Sequence, residues 1–200
     1  MQKYSRIEEV NMKYFKKLVG KKVYLSPLNS DDAEVFTKWV NDLEISILMS
    51  SASSIYSLDK EKEFLENVSK NGHSFAIVDI EGDKIIGTCG LMNVNHIFRK
   101  AELGIFIGEK EYWGKGYGTE ATELLLDFAF NILNLNSIML IVNSFNERAI
   151  KSYEKCGFKL IGKRREAVIL GNKVYDEYLM DILSSEFKKS IVFEKIKKVL

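Results

Sequence analysis

Cysteine, histidine and proline are almost missing from this 200-residue chain, which holds two cysteines, two histidines and a single proline, Pro27. Two cysteines cannot build the disulfide framework that holds small secreted folds together. Cys89 and Cys156 stand far apart, and neither they nor His73 and His96 fall at metal-ligand spacing, so a zinc site is not supported either. A reducing, cytoplasmic setting is therefore expected. Charge of one sign is also lacking: 29 Lys and Arg balance 28 Asp and Glu, which leaves no basic field to draw in nucleic acid. Apolar runs stop far short of a membrane span, and the first residues carry no apolar signal-peptide segment. No repeat or low-complexity tract is present. With 46% hydrophobic residues, 200 residues suffice for one domain with a substantial core.

What the chain does have is the stretch Tyr112–Ala121, with Gly114, Gly116 and Gly118 at alternate positions between an expected strand and an expected helix. Glycines leave the backbone bare, so its N–H groups can turn onto an anion, and the positive end of the following helix adds to the same spot. This is a phosphate cradle by physical logic, although glycine-rich strand-to-helix turns also serve as plain connections. A P-loop string is absent, and the Gly-x-Gly-x-Gly spacing does not fit the Gly-x-Gly-x-x-Gly of a dinucleotide turn.

Periodicity lays out the rest. Residues 1–19 read as a charged N-terminal extension with Val10, Tyr14 and Leu18 at helical spacing, residues 20–185 as the main domain, and 186–200 as a helical tail. Val23–Ser26 reads as a first strand, and Asp31 with Glu34 as a capping-box start for a helix carrying Phe36, Trp39 and Val40. Residues 46–57 are Ser-rich and expected to be irregular, and a second helix runs from Asp59 to a stop at Gly72. Residues 74–80 and 84–91 form a hairpin, 101–108 a third strand in series, and Thr119–Leu133 a helix after the cradle. Ser137–Val142 is continuously apolar, as in a strand buried on both faces. A helix then runs to Cys156 and stops at Gly157, and two closing strands at 158–162 and 173–183 meet at a Gly171–Asn172 turn. The order β-α-α-β-β-β-α-β-α-β-β predicts an α/β fold, a mixed and mostly antiparallel sheet of about six or seven strands with helices on both faces.

The segment Asn146-Glu-Arg148-Ala149-Ile-Lys-Ser152-Tyr153-Glu-Lys155-Cys-Gly157-Phe158 follows the apolar strand. Together with the cradle and the element order, it resembles the GNAT superfamily of acyl-CoA-dependent N-acetyltransferases. Trp113–Gly118 is similar to that family's Arg/Gln-x-x-Gly-x-Gly/Ala signature, and Asn146–Phe158 to its Asn-x-x-Ala-x-x-x-Tyr-x-x-x-Gly-Phe stretch. Trp113 in the first signature position and the ending Tyr175–Met180 resemble the ribosomal-protein alanine N-acetyltransferases of the RimJ/RimL type.

The resemblance implies acetyl-CoA as co-substrate and no metal. It implies that the backbone of Phe106 and Ile107 meets the pantetheine arm, that Gly114, Lys115, Gly116, Tyr117, Gly118 and Thr119 hold the pyrophosphate through their amides, and that Asn146 contacts CoA. Glu102 is the implied base and Tyr153 the implied proton donor to the leaving thiolate. The partner is an amine acceptor: a protein N-terminus, a polyamine, an aminoglycoside or a small amino acid. Asp42, Glu44, Asp176 and Glu177 are candidates for an acidic acceptor wall, with Trp39 and Tyr56 beside it and His96 in the loop before Glu102. Arg148 and Lys155 are candidates for the CoA 3′-phosphate. The tail is placed to cap the sheet or to pair subunits in a homodimer. No cysteine sits beside a base, so direct attack in a ternary complex is favoured over an acyl-enzyme. A non-catalytic acyl-CoA sensor is the alternative, against which the presence of both Glu102 and Tyr153 argues.

Overall fold

The computed structural model describes residues 12–70 and 72–199, and all of its strands join one mixed sheet. In chain order the elements are β1 (Leu18–Val19), β2 (Val23–Pro27), α1 (Ala33–Asn41), α2 (Leu43–Leu48), α3 (Leu58–Ser69), β3 (Ser74–Asp79), β4 (Ile85–Asn95) and β5 (Lys100–Ile107). They continue as α4 (Tyr117–Asn131), β6 (Ser137–Asn143), α5 (Glu147–Cys156), β7 (Lys159–Leu170), β8 (Lys173–Leu183) and α6 (Ile191–Val199). The eight strands stand in the order β1-β2-β3-β4-β5-β6-β8-β7, antiparallel everywhere except between β5 and β6.

Two apolar cores lie on opposite faces of the sheet. Leu124, Leu125 and Phe128 of α4 pack with Leu103, Ile138 and Leu140 on one face. Phe36 and Trp39 of α1 and Leu65 of α3 pack with Ala76 and Val78 on the other. The mixed sheet with helices on both faces is the architecture expected from the element order. The eighth strand is β1, where the end of the N-terminal segment pairs with β2 through Leu18↔Leu25 and Val19↔Tyr24. Residues 12–16 are not helical, yet Tyr14 is buried and its hydroxyl donates to the buried Asp32 at 2.9 Å. Val10 lies outside the described residues.

Several local expectations are corrected. The Asp31/Glu34 capping box does not form: Asn29 accepts the Asp31 N–H and starts a single 3₁₀ turn, from which α1 continues. The first part of the Ser-rich stretch is helical, because Asp42 accepts the N–H groups of Glu44 (3.0 Å) and Ile45 (3.3 Å) and so starts α2. β7 extends well beyond Gly162. Its bulges around Leu160/Gly162 and Arg164/Val168, with Glu166 at φ 53°, break the two-residue alternation that would have revealed it. β6 is not buried on both faces: Ile138, Leu140 and Val142 enter the α4 core, whereas Ile141 is 53% exposed.

The tail is helical only from Ile191. It docks on α4 through Asp127, a buried carboxylate that accepts the N–H groups of Ile191 (2.6 Å) and Val192 (2.7 Å) and the side-chain amide of Asn131 (2.7 Å). One carboxylate thus satisfies two of the otherwise orphaned donors at the start of α6. Asp127→Ala is expected to destabilise the protein by about 2 kcal/mol, because it leaves those donors without their charged acceptor. Thermal denaturation checks this, and a melting temperature equal to wild type would refute the docking role.

Candidate active site

The site begins where two strands part. β5 and β6 are paired only through Lys100↔Ser137, Ala101↔Ile138 and Glu102↔Met139. Beyond that point β5 stays with β4 as far as Gly87↔Ile107, while β6 stays with β8 as far as Asn143↔Glu177. The two strands therefore diverge from Leu103 onward. Gly108 donates its N–H to Ile86 on β4 at 2.9 Å. Counting back by the two-residue period, through a register with no shift, Phe106 and Gly104 also turn their backbone groups to β4. Ile105 and Ile107 turn theirs into the split. The Ile107 carbonyl is already engaged there, accepting from Trp113 Nε1 at 2.7 Å.

At the open end of the split stands the glycine turn. Gly114 and Gly116 have φ 71° and 86°, a region where a Cβ is strained, and Gly116 is the N-cap residue just before α4. Gly118 lies inside the first helical turn, and a Cβ there would stand 3.5 Å from Ile107 Cγ1, an ordinary contact. Of the three glycines, two are therefore demanded by backbone conformation and the third is not. The N–H groups of Tyr117, Gly118 and Thr119 occupy the first turn of α4, whose dipole is positive at this end. Four hydrogen bonds fix the turn in place. Glu120 accepts the N–H groups of Lys21 and Lys22. Lys22 Nζ donates to the Lys115 carbonyl at 2.7 Å, and the Thr119 and Ser152 hydroxyls bond at 2.8 Å, joining α4 to α5.

A cleft of about 1060 Å³ follows the split. Glu102, Phe106, Ile107, Gly114, Gly116, Gly118, Thr119, Asn146 and Tyr153 all border it. Lys115 and Tyr117 do not; the Tyr117 ring packs edge-on against Tyr112, with centroids 4.8 Å apart. Because side chains alternate, Glu102, Ile141 and Asn143 share the sheet face that carries α2, opposite to the core beneath α4. Tyr153 packs against that α4 core, its ring 5.8 Å from Phe158. Its hydroxyl has no hydrogen-bond partner among the described residues, and burial, with a smaller contribution from Cys156, pushes its pKa up to about 12. The phenol thus keeps its proton at neutral pH. Asn146 borders the cleft and caps α5 by accepting the Ala149 N–H at 3.2 Å, and its amide N–H₂ has no hydrogen-bond partner among the described residues. Asn143 is buried and donates to Ser50 Oγ at 2.8 Å.

Other expected site residues fall elsewhere. Trp39 is core, its indole N–H bonded to Glu109, and His96 is an exposed neighbour of His73 outside the cleft. Tyr56 lies outside the cleft as well. The wall on that side is instead Ile45, Leu48, Met49 and Ser50, at and after α2. Lys22 had no sequence signal, since it meets Lys115 across 93 positions. Trp113 reaches further than its motif position suggests: the Arg148 guanidinium stacks 3.8 Å from its ring centroid, bringing a cation to the loop.

A strand split, an N–H cradle at a helix start and an apolar cleft between them suit a long anionic thioester. The acetyltransferase (GNAT) domain profile matches residues 22–159. The chain belongs to the GNAT acetyltransferase family. It is an N-acetyltransferase with acetyl-CoA as co-substrate. The uncharacterized N-acetyltransferase p20 of Bacillus licheniformis is 28% identical over 85% of this chain and 97% of its own length. The spermidine N(1)-acetyltransferase of Escherichia coli (strain K12) is 35% identical over 56% of this chain and 59% of that protein. The crystal structure of spermidine N-acetyltransferase from Vibrio cholerae in complex with CoA and spermine superposes with a TM-score of 0.75 at 28% identity, covering 84% of this chain and 98% of that one. These relatives support the GNAT family and not, specifically, its RimJ/RimL branch. Among the described residues no group of three or more His, Cys, Asp or Glu could hold a metal, and no helix is long and apolar enough to cross a membrane.

For this GNAT protein, Gly116→Ala and Gly118→Ala should separate backbone demand from space. Gly116→Ala is expected to cost about 1 kcal/mol of stability and to raise KM for acetyl-CoA several-fold, since a Cβ at positive φ is strained. Gly118→Ala is expected to leave both near wild type. Melting curves and KM values read this directly, and equal effects at the two positions would overturn it.

Proposed function

We propose that the cleft transfers acetyl from acetyl-CoA to a primary amine by direct attack, with Glu102 as base and Tyr153 as acid. The observation that supports this most is the placement of the two groups on opposite sides of the split, a carboxylate on the α2 face and a protonated phenol against the α4 core. The pyrophosphate lies on the N–H groups of Gly114, Gly116, Gly118 and Thr119, which border the cleft, with Lys22 beside them. The pantetheine arm, itself peptide-like, pairs with the free backbone groups of Ile105 and Ile107 as an added strand would. Asn146 donates to it from the other side, and Lys151 and Lys155 border the same wall.

The acceptor arrives as an ammonium and must lose a proton before it attacks. For an amine of pKa about 10 at pH 7 this costs roughly 4 kcal/mol, and for an α-amine of pKa near 8 only about a third as much. Glu102 takes that proton. The nitrogen then adds to the thioester carbonyl, the C–S bond breaks, and the Tyr153 phenol protonates the departing sulfur. The second proton, which the nitrogen sheds as the amide forms, restores the phenol. Spermidine and spermine, named for the relatives, belong to the acceptor class, and so does a protein N-terminus, which the Trp113 and Tyr175–Met180 features favour.

Glu102→Gln is expected to lower kcat/KM about 100-fold at pH 7, with partial recovery as rising pH neutralises the amine unaided. Tyr153→Phe is expected to lower kcat at least about tenfold with KM for acetyl-CoA nearly unchanged. Thiol release from acetyl-CoA with a panel of amines measures both. Tight acetyl-CoA binding without turnover of any amine would instead favour the sensor reading.

A further inference from the structure

Carboxylates stand in the cleft and just outside it near α2 and β8, yet almost every one already has a cation of this chain beside it. Lys110 on the loop before the cradle reaches both Glu44 (2.7 Å) and Asp42 (2.9 Å) at the start of α2. Those contacts hold Lys110 above its usual range, Glu44 contributing most, while Lys110 holds Asp42 below the usual carboxylate range. Glu44 also acts on Arg148, whose guanidinium lies over Trp113 at the mouth. On the far wall Glu177, opposite Asn143 in register, is paired with Arg164 at 3.3 Å, and its neighbour Asp176 with Lys163 at 3.1 Å. Glu147, the remaining carboxylate bordering the cleft, pairs with Lys151 at 3.4 Å. Asp181, in the same sheet row as Glu102, lies outside the cleft and faces Lys159 in register.

Glu102 alone borders the cleft with no cationic or hydrogen-bonded partner among the described residues. Asp42 and Glu44 beside the cleft are held by Lys110, Glu147 by Lys151 and Glu177 by Arg164, so Glu102 is the one cleft-lining carboxylate left uncompensated among the described residues. Exposed ion pairs are individually weak, and a polycation can displace a lysine from its carboxylate. The displaced cation nevertheless stays tethered nearby, so the field met by an incoming ligand remains that of a single charge.

We propose that this cleft selects a primary amine bearing one positive charge and discriminates against polyamines. The proposal rests on the acetyltransferase reading of the site. A polyamine would bring several ammonium groups to a wall offering one uncompensated carboxylate, and its further charges would meet the cations that hold the others. A monoamine, such as the α-amine of a short uncharged peptide or an alkylamine, matches the single charge and the apolar flank of Ile45, Leu48 and Ile141.

The test uses the full chain at low salt, with an alkylamine, an uncharged N-terminal peptide, spermidine and spermine as acceptors. Thiol release is expected to give a kcat/KM for the best monoamine at least about tenfold above spermidine and spermine. In a Lys110→Ala/Arg164→Ala double variant, KM for spermidine should fall by roughly threefold per removed cation, about tenfold in all, while the monoamine KM moves less. Calorimetry of spermine and of the alkylamine against the CoA-bound protein supplies a reading independent of turnover. Spermine binding tighter than the alkylamine, or a double variant with unchanged polyamine preference, overturns the proposal. Absence of turnover with every amine defeats the acetyltransferase reading, whereas turnover favouring spermidine defeats only this one.

Discussion

The structure depends on two adjacent strands being held apart. Main-chain groups of β5 and β6 beyond Glu102↔Met139 forgo their mutual hydrogen bonds, and a buried unpaired N–H or C=O is costly. The separation persists because each strand is fastened on its outer side, β5 to β4 and β6 to β8. Gly87 makes the first of these fastenings close: a Cβ there would stand 2.2 Å from the Phe106 carbonyl oxygen. Trp113 occupies one of the freed groups by bonding the Ile107 carbonyl. The remainder form an edge that an extended amide-bearing ligand can complete.

From that parting follows the division of labour across the sheet. Residues that leave the split on the α4 side meet the helix whose start forms the cradle, so the cradle and the protonated Tyr153 belong to one face. Residues that leave on the other side, Glu102, Ile141 and Asn143, meet α2. In the mechanism proposed above, the thioester carbonyl would lie between Glu102 and Tyr153, which never compete for the same space. The cradle stays in register with the split because α4 is tied at both ends: Glu120 holds the β1–β2 turn, Thr119 holds α5, and Asp127 holds α6.

Much of the fold was legible along the chain. Alternating glycines before an amphipathic run placed the turn at the start of α4, and the spacing from Asn146 to Tyr153 sets a cap and a phenol on one short helix. The hairpin β3–β4, strand β5, helix α4 and the α5 stop at Gly157 followed from periodicity and glycine punctuation. What periodicity could not convey was exposure. Ser137–Val142 reads as buried throughout because one of its outward residues, the apolar Ile141, lines the cleft instead of a core. β7 escaped because an edge strand with two irregularities and the run Lys163-Arg164-Arg165-Glu166 shows no apolar alternation. Lys22, Ser50 and the acceptor wall of α2 depend on contacts between distant positions, which no local pattern encodes.

Charge pairing shows the same limit from the other direction. In the sequence, Asp42, Glu44, Asp176 and Glu177 look like an acidic wall suited to a polycation. In the fold each of them faces a cation contributed by a separate segment: Lys110 precedes the cradle, while Lys163 and Arg164 come from the strand paired with β8. A carboxylate attracts substrate in proportion to the charge left over after its neighbours are counted, not to its presence. The Trp113 position obeys this rule too. A tryptophan there carries no charge of its own, but its ring recruits Arg148 from α5, so the mouth of the cleft keeps a cation that the local motif seemed to have lost. On the proposed reading, selectivity among amines in this cleft is set less by which acidic residues the chain contains than by which of them its own lysines and arginines leave free.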